Sequence, residues 1–192
     1  GMKILDAGCG NGRLYEYLQK RDIEYIGTDQ CDELLKLARG RYPEATFLQQ
    51  DLQNLNFTEK SFDAIFCIAA LHHLPSKKMR KEALKKMHAC LKPNGTLIVT
   101  TWNLRQKKYR WPRIKAALSF LIHFGLKYGW NDLWIRWGRE PVKRYYHAFS
   151  PRELKALFSP NEWKNLDFYF TREGNKVEWR KSYNLCLIAS KS

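Results

Sequence analysis

Short apolar runs alternate with stretches of helical spacing through the first hundred residues. Runs at 3–6, 25–29, 46–50, 62–68 and 96–101 read as buried strands bounded by turn residues. Between them, 13–21, 32–42 and 77–91 read as helices. The last carries Ala83, Leu84, Met87 and Leu91 on one face and stops before the turn signal Pro93-Asn94-Gly95. Such alternation predicts an α/β fold, a doubly wound and mostly parallel sheet with helices on both faces through right-handed crossovers. After Asn103 the alternation breaks. Residues 104–137 are basic at first and aromatic later, with Trp111, Trp130, Trp134 and Trp137, and 114–126 predicts a helix with Gly125 and Gly129 near its end. A helix at 151–158, capped by Ser150, and strands at 166–171 and 183–189 complete the pattern, the two strands expected as an antiparallel pair.

Composition narrows the class. With 44% hydrophobic and 14% aromatic residues, the 192-residue chain is expected to fold as one globular domain. No apolar run is long enough to span a membrane, so no stable membrane insertion is expected. The five cysteines, Cys9, Cys31, Cys67, Cys90 and Cys186, show no C-x-x-C spacing, which speaks against a metal site and for a reducing, cytoplasmic setting. The net charge of +15 is unevenly placed. Residues 1–100 hold 15 Lys/Arg against 12 Asp/Glu (+3), and residues 101–192 hold 19 against 7 (+12). The second half is built to meet an anion: nucleic acid is the commonest such partner, and an acidic membrane surface or a small acidic substrate also fits.

The chemistry sits in Asp6-Ala7-Gly8-Cys9-Gly10-Asn11-Gly12, which follows a predicted strand and opens a helix. Glycines let the main chain turn tightly and let a ligand approach it, and the helix start beyond offers free N–H groups. Asp29 ends the second strand, where a carboxylate can accept both hydroxyls of a ribose. The spacing is G-x-G-x-G, not the G-x-G-x-x-G of dinucleotide sites, and the acid Asp6 is unsuited to a pyrophosphate. Asp51 ends the third strand, placed for an adenine amino group. Three carboxylates together suit a cationic cofactor made of an amino acid and an adenosine.

These residues identify a family. Residues 3–101 resemble the class I S-adenosylmethionine-dependent methyltransferases. The likeness runs through Leu5-Asp6-Ala7-Gly8-Cys9-Gly10-Asn11-Gly12, then Phe62-Asp63-Ala64-Ile65 to Leu71-His72-His73-Leu74, then Leu91-Lys92-Pro93-Asn94-Gly95-Thr96-Leu97. The resemblance implies a seven-stranded Rossmann-like sheet whose last strand is antiparallel, and the residues after strand five read as an α-helical, aromatic and basic insert that departs from the family pattern. It divides the chain into a cofactor-binding half (3–103), a substrate-facing insert (104–150) and a closing helix and strands (151–192). It implies S-adenosylmethionine as cofactor, leaving as S-adenosylhomocysteine, held by Asp6, Gly8, Cys9, Gly10, Asn11, Gly12, Asp29, Gln30, Asp51, Leu52, Ile68 and Ala69. Members usually carry a covering helix ahead of the glycine loop. Here the first strand starts at residue 3, so a preceding segment is expected in the whole protein, with Gly1 a tag remnant.

Further stretches, Trp102-Asn103-Leu104-Arg105-Gln106 and Lys143-Arg144-Tyr145-Tyr146-His147-Ala148-Phe149 with Glu153-Leu154, are similar to the tRNA wobble-uridine carboxyl methyltransferases. That likeness implies tRNA as partner, a uridine 5-carboxymethyl group as acceptor and, as in eukaryotic members, a small zinc-binding activating subunit. A carboxylate is already ionised at neutral pH and needs no general base, so orienting it is the main task. Arg144 is the first candidate to clamp it and Arg105 the second. His147 or Tyr145 can add a hydrogen bond, and Trp102 can stack on a base. The alternative is an O- or C-methyltransferase of small molecules or lipid precursors, with His73 or His147 as base and 114–126 lying on a membrane or over the pocket. Each feature also has a plain reading: Cys9 as a space-filler, Tyr145 and Tyr146 as core, one of His72 and His73 as structural, the tryptophans as the core of the insert.

Overall fold

The computed structural model describes residues 1–122, 129–136 and 142–192. In chain order the elements are β1 (Met2–Ala7), α1 (Tyr15–Leu18), β2 (Ile23–Asp29), α2 (Asp32–Arg41), β3 (Thr46–Gln49), β4 (Phe62–Ile68), α3 (Lys77–Cys90) and β5 (Leu91–Trp102). Then follow α4 (Arg110–Ile122), β6 (Asp132–Arg136), β7 (Lys143–His147), α5 (Pro151–Lys155), β8 (Trp163–Arg172), β9 (Asn175–Lys176) and β10 (Asn184–Lys191). Among the described residues, eight strands form one sheet in the order β3-β2-β1-β4-β5-β10-β8-β9. β1 to β5 run parallel, and β10 lies antiparallel to both β5 and β8. The strand order reverses between β1 and β4, where a crevice opens beyond the strand C-terminal ends.

Strand alternation produces two cores. Ile4 and Ala64 face one side of the sheet, with Leu35 and Ala38 of α2 and the rings of Tyr15, Tyr25, Tyr42 and Phe47. Leu5, Ala7, Ile65 and Cys67 face the other, against Ala83, Leu84 and Met87 of α3 and Leu154 of α5. α3 starts where the Ser76 hydroxyl accepts the Met79 N–H (3.1 Å), and α5 where Ser150 accepts that of Glu153 (3.1 Å).

Several expectations shift in detail. The predicted helix 13–21 is helical only over Tyr15–Leu18, because bonds such as Tyr15 N–H to Gly12 O and Arg21 N–H to Leu18 O close three-residue turns. The turn at Pro93-Asn94-Gly95 is absorbed into β5 as an irregularity opposite β4, with Asn94 at φ 63°. The sheet has an eighth strand where seven were expected. Glu173 and Gly174, at φ 52° and 84°, make a two-residue hairpin that adds β9. The insert is not wholly helical. After α4 it forms the ribbon β6–β7, pairing Asp132 with His147 and Trp134 with Tyr145. Residues 123–126 of the predicted helix, with Gly125, and Trp137 lie outside the described residues. Trp111, Trp130 and Trp134, expected in the insert core, are 70%, 55% and 46% exposed. That core is made by Leu104, Leu133, Tyr146 and Ala148 instead.

One steric constraint governs the crevice. Gly8 has φ 86°, and a Cβ there would lie 2.4 Å from the Ala70 Cβ. Gly40, in α2, has nothing within 4 Å of its own added Cβ. Gly8→Ala is therefore expected to cost about 2 kcal/mol or more, while Gly40→Ala gains about 0.5 kcal/mol. Thermal unfolding of the two variants checks both signs.

Candidate active site

The glycine loop is pinned to β2, since the N–H groups of Gly8 and Cys9 both donate to the Thr28 carbonyl (2.7 and 2.8 Å). The Gly10 N–H donates to Asp29 Oδ2 (2.8 Å) and the Cys31 N–H to Asp29 Oδ1 (2.9 Å), which fixes that carboxylate at the crevice edge. Gln30 is exposed beside it and accepts at its carbonyl from Gln49 Nε2 (3.1 Å). Asp51 caps the turn Leu52–Asn54, taking the Gln53 N–H at 2.8 Å. Asp6 is buried and accepts from the Tyr25 hydroxyl (2.8 Å). Burial pushes its pKa up to about 7, against the lowering effect of the Tyr25 bond and with a further push from Asp29. Burial, with the charges of Asp6 and Asp29, pushes the Cys9 thiol up as well, so Cys9 is a filler and not a nucleophile. Asn11 sits half-buried on the loop, and Ile68 and Ala69 lie half-buried across the crevice. Ala69 has φ 53°, its N–H shared between Thr100 O and Oγ1 (3.0 and 3.1 Å). A non-glycine residue in that region is strained, a feature common where a ligand is held. The donor set fits S-adenosylmethionine: a fixed acid for a ribose, a second beyond β3 for an adenine, and a buried third that gains from a nearby cation.

An aromatic wall follows β4. Tyr146 stacks on Trp102 (5.3 Å, 19°) and lies 4.6 Å from the His73 ring and 5.4 Å from His72. His72 is buried, burial holds its pKa well below 6.5, and its Nδ1 accepts the Trp102 N–H (3.3 Å). Its Nε2 must then carry the proton, and that atom is buried without a partner among the described residues. His73 Nδ1 donates to the Tyr145 carbonyl (3.0 Å), leaving Nε2 as an acceptor. Packing around the ring lowers the His73 pKa, and the Arg144 charge lowers it further, while the Tyr145 bond and the Asp29 charge oppose. His73 thus feels both the cofactor-side acid and Arg144. Arg144 pairs with Ile135 through the backbone of β7, and its exposed guanidinium has no hydrogen bond or ion pair among the described residues. Arg105 donates from Nη2 to Asn131 Oδ1 (3.1 Å), and its Nε is buried and unpartnered among them.

Two expected substrate contacts are committed elsewhere. Both nitrogens of buried His147 are held, Nδ1 by Asp132 Oδ1 (2.8 Å) and Nε2 by Glu153 Oε1 (2.6 Å), so neither is free to act on a substrate. The Tyr145 hydroxyl donates to Asp132 Oδ1 (2.6 Å), with the Pro75 carbonyl also in reach (3.0 Å). Trp102, expected to stack on a base, packs on Tyr146 and lies 5.3 Å from the His72 ring. Asp132 was missed in the sequence, although it and Glu140 are the only acids in 104–150. Arg80, buried beneath this network and donating to the Leu74 carbonyl (2.8 Å), carries no sequence signal of its own.

The network has a pH signature. Burial opposes a charge on His147, but the bonds from Asp132 and Glu153 outweigh it and raise the pKa above 6.5. Burial likewise opposes the two carboxylates, whose pKa values the His147 bonds nonetheless lower. The histidine contribution is full below about pH 6.5 and is lost as pH rises through its raised pKa. The carboxylate contributions are present above their ordinary range and are lost as pH falls through the lowered values. His147→Ala should cost about 3 kcal/mol near pH 6. In a chain of this size that is about 6 to 12 °C in unfolding temperature. The deficit should shrink in alkaline buffer, and a deficit constant with pH would contradict the charged assignment.

Comparison with known proteins agrees with this geometry. A family profile described as a methyltransferase domain matches residues 5–99. A methyltransferase of Encephalitozoon cuniculi is 30% identical over 85% of this chain and 71% of its own length. The tRNA (carboxymethyluridine(34)-5-O)-methyltransferase of Arabidopsis thaliana is 37% identical over 56% of this chain, a match that spans 26% of that protein. Among solved structures, a SAM-dependent methyltransferase from Methanosarcina mazei superposes with a TM-score of 0.76 at 25% identity, covering 99% of this chain and 92% of that one. Fold, acid-lined crevice and relatives agree: the chain belongs to the class I S-adenosylmethionine-dependent methyltransferases.

Proposed function

We propose that this methyltransferase acts on a tRNA nucleotide, esterifying the carboxylate of a wobble-uridine 5-carboxymethyl group. The observation that carries the reading is Arg144, an exposed guanidinium without a described partner, on the same side of β7 as Tyr146, whose ring lies 4.6 Å from that of His73. Bound S-adenosylmethionine supplies the methyl group, to which a carboxylate oxygen bonds as the carbon–sulfur bond breaks and its electron pair returns to sulfur, with no proton to move. Arg144 clamps the carboxylate through a bidentate pair, and orientation does the rest. Arg105, half-buried with the Arg113 charge nearby, is the second anion contact. Trp102 is the candidate to lie against the uracil. The basic run Arg105, Lys107, Lys108, Arg110, Arg113 and Lys115 meets phosphates. The Arabidopsis relative, a carboxymethyluridine methyltransferase, supports the choice of acceptor. From the resemblance of 102–106 and 143–149 to the wobble-uridine enzymes, a small zinc-binding activating subunit is the partner we propose alongside tRNA.

A second reading rests on His73. Its Nε2 is an acceptor, and its lowered pKa keeps it neutral at physiological pH, which suits a general base for a hydroxyl on a small or lipid-precursor acceptor.

Methyl-labelled cofactor and total tRNA stripped of esters by mild alkali separate the two. The protein, assayed with and without the activating subunit, should place label in tRNA that leaves as methanol under base. Base-stable label or none would overturn the carboxyl assignment. Arg144→Ala should lower kcat at least ~100-fold with cofactor affinity unchanged, and Arg144→Lys should recover only part of it.

A further inference from the structure

Helix α4 turns its apolar side chains outward. Trp111, Ile114, Leu118, Leu121 and Ile122 fall at i, i+3, i+7, i+10 and i+11, a single stripe. They are 70%, 38%, 52%, 59% and 71% exposed, while Ala116 on the other side packs on the insert core. A surface helix ordinarily has the reverse arrangement. Trp130 is not part of the stripe: it packs edge-on to Phe120 (6.1 Å), which falls near Ala116 on the other side of the helix. Scattered apolar residues on a surface need no explanation, but a contiguous stripe marks a binding surface.

Charge selects the occupant. Exposed Lys107, Arg110 and Lys115 flank the stripe, within a half of the chain that carries +12. A second copy would bring two such halves together, and like charge opposes that. RNA satisfies the cations but offers nothing to a row of leucine and isoleucine. An anionic bilayer satisfies both. Aliphatic and indole side chains enter the acyl boundary while lysine and arginine reach the headgroups. A 13-residue helix is about 20 Å long, short of the ~30 Å hydrocarbon core. No described helix is long and apolar enough to cross a membrane. We infer that α4 lies flat on an anionic lipid surface and docks the protein there reversibly. Lys107, Arg110 and Lys115 are also phosphate contacts in the tRNA reading, so lipid and tRNA share these cations, while vesicle binding and methyl transfer are read separately and either can fail without the other.

Sedimentation with vesicles of phosphatidylcholine alone, or with added phosphatidylserine, tests the inference. The protein should pellet with the phosphatidylserine vesicles and not with phosphatidylcholine alone. Leu118→Ser/Leu121→Ser should bind at least ~10-fold more weakly, with its circular dichroism and cofactor affinity unchanged. Failure of the unaltered protein to bind anionic vesicles would overturn the proposal. Equal binding by the double variant would reduce the effect to charge alone and overturn it too. A concentration-dependent dimer lost in the variant would assign the stripe to a second copy instead.

Discussion

The approach of Gly8 to Ala70 is the constraint from which the site is built. Having no Cβ, Gly8 lets the loop after β1 lie against the chain leaving β4, at the point where strand order reverses. Everything chemical then falls within a short span. Asp6 precedes the loop, Gly10 reaches Asp29, and Ala69 takes its left-handed turn across the crevice. The chain goes straight on to His72 and His73, so the cofactor side and the acceptor side share one stretch of backbone.

A second lock fastens the insert to that frame. On one side of β7, Tyr145 and His147 both reach Asp132, and His147 continues to Glu153 in α5. On the other side, Tyr146 packs on His73 and Trp102, and Arg144 shares that side by strand alternation. A buried ionic network of this kind contributes little net stability against an apolar equivalent, yet breaking it is costly. Here it sets the register of β7, and with it the position of Arg144.

The cofactor half was legible in the sequence because its signals are local. Strands 62–68 and 25–29 announce themselves by apolar runs, and the glycines and acids by fixed spacing. The insert was less legible. Leu133-Trp134-Ile135 is too short a run to declare a strand without its partner Arg144-Tyr145-Tyr146, and the helical pattern ahead of it dominates the reading. His147 and Tyr145 were assigned to substrate because nothing in a sequence shows that Asp132, distant along the chain, takes the bonds of both. The outward face of α4 was legible only as one of two readings, 114–126 on a membrane or over the pocket. Periodicity finds an apolar stripe but does not say which way it points.

Direct titration of S-adenosylmethionine tests the central claim, that Asp29 and buried Asp6 hold the cofactor in the crevice between β1 and β4. Affinity should strengthen as pH rises toward about 7, because Asp6 ionises there and a carboxylate favours the cationic cofactor. Asp29→Ala should weaken binding about 10- to 100-fold, the loss of charge-assisted hydrogen bonds to the ribose. Undiminished affinity in Asp29→Ala, with no pH dependence between 5.5 and 7.5 (about two units around the Asp6 value), would place the cofactor elsewhere.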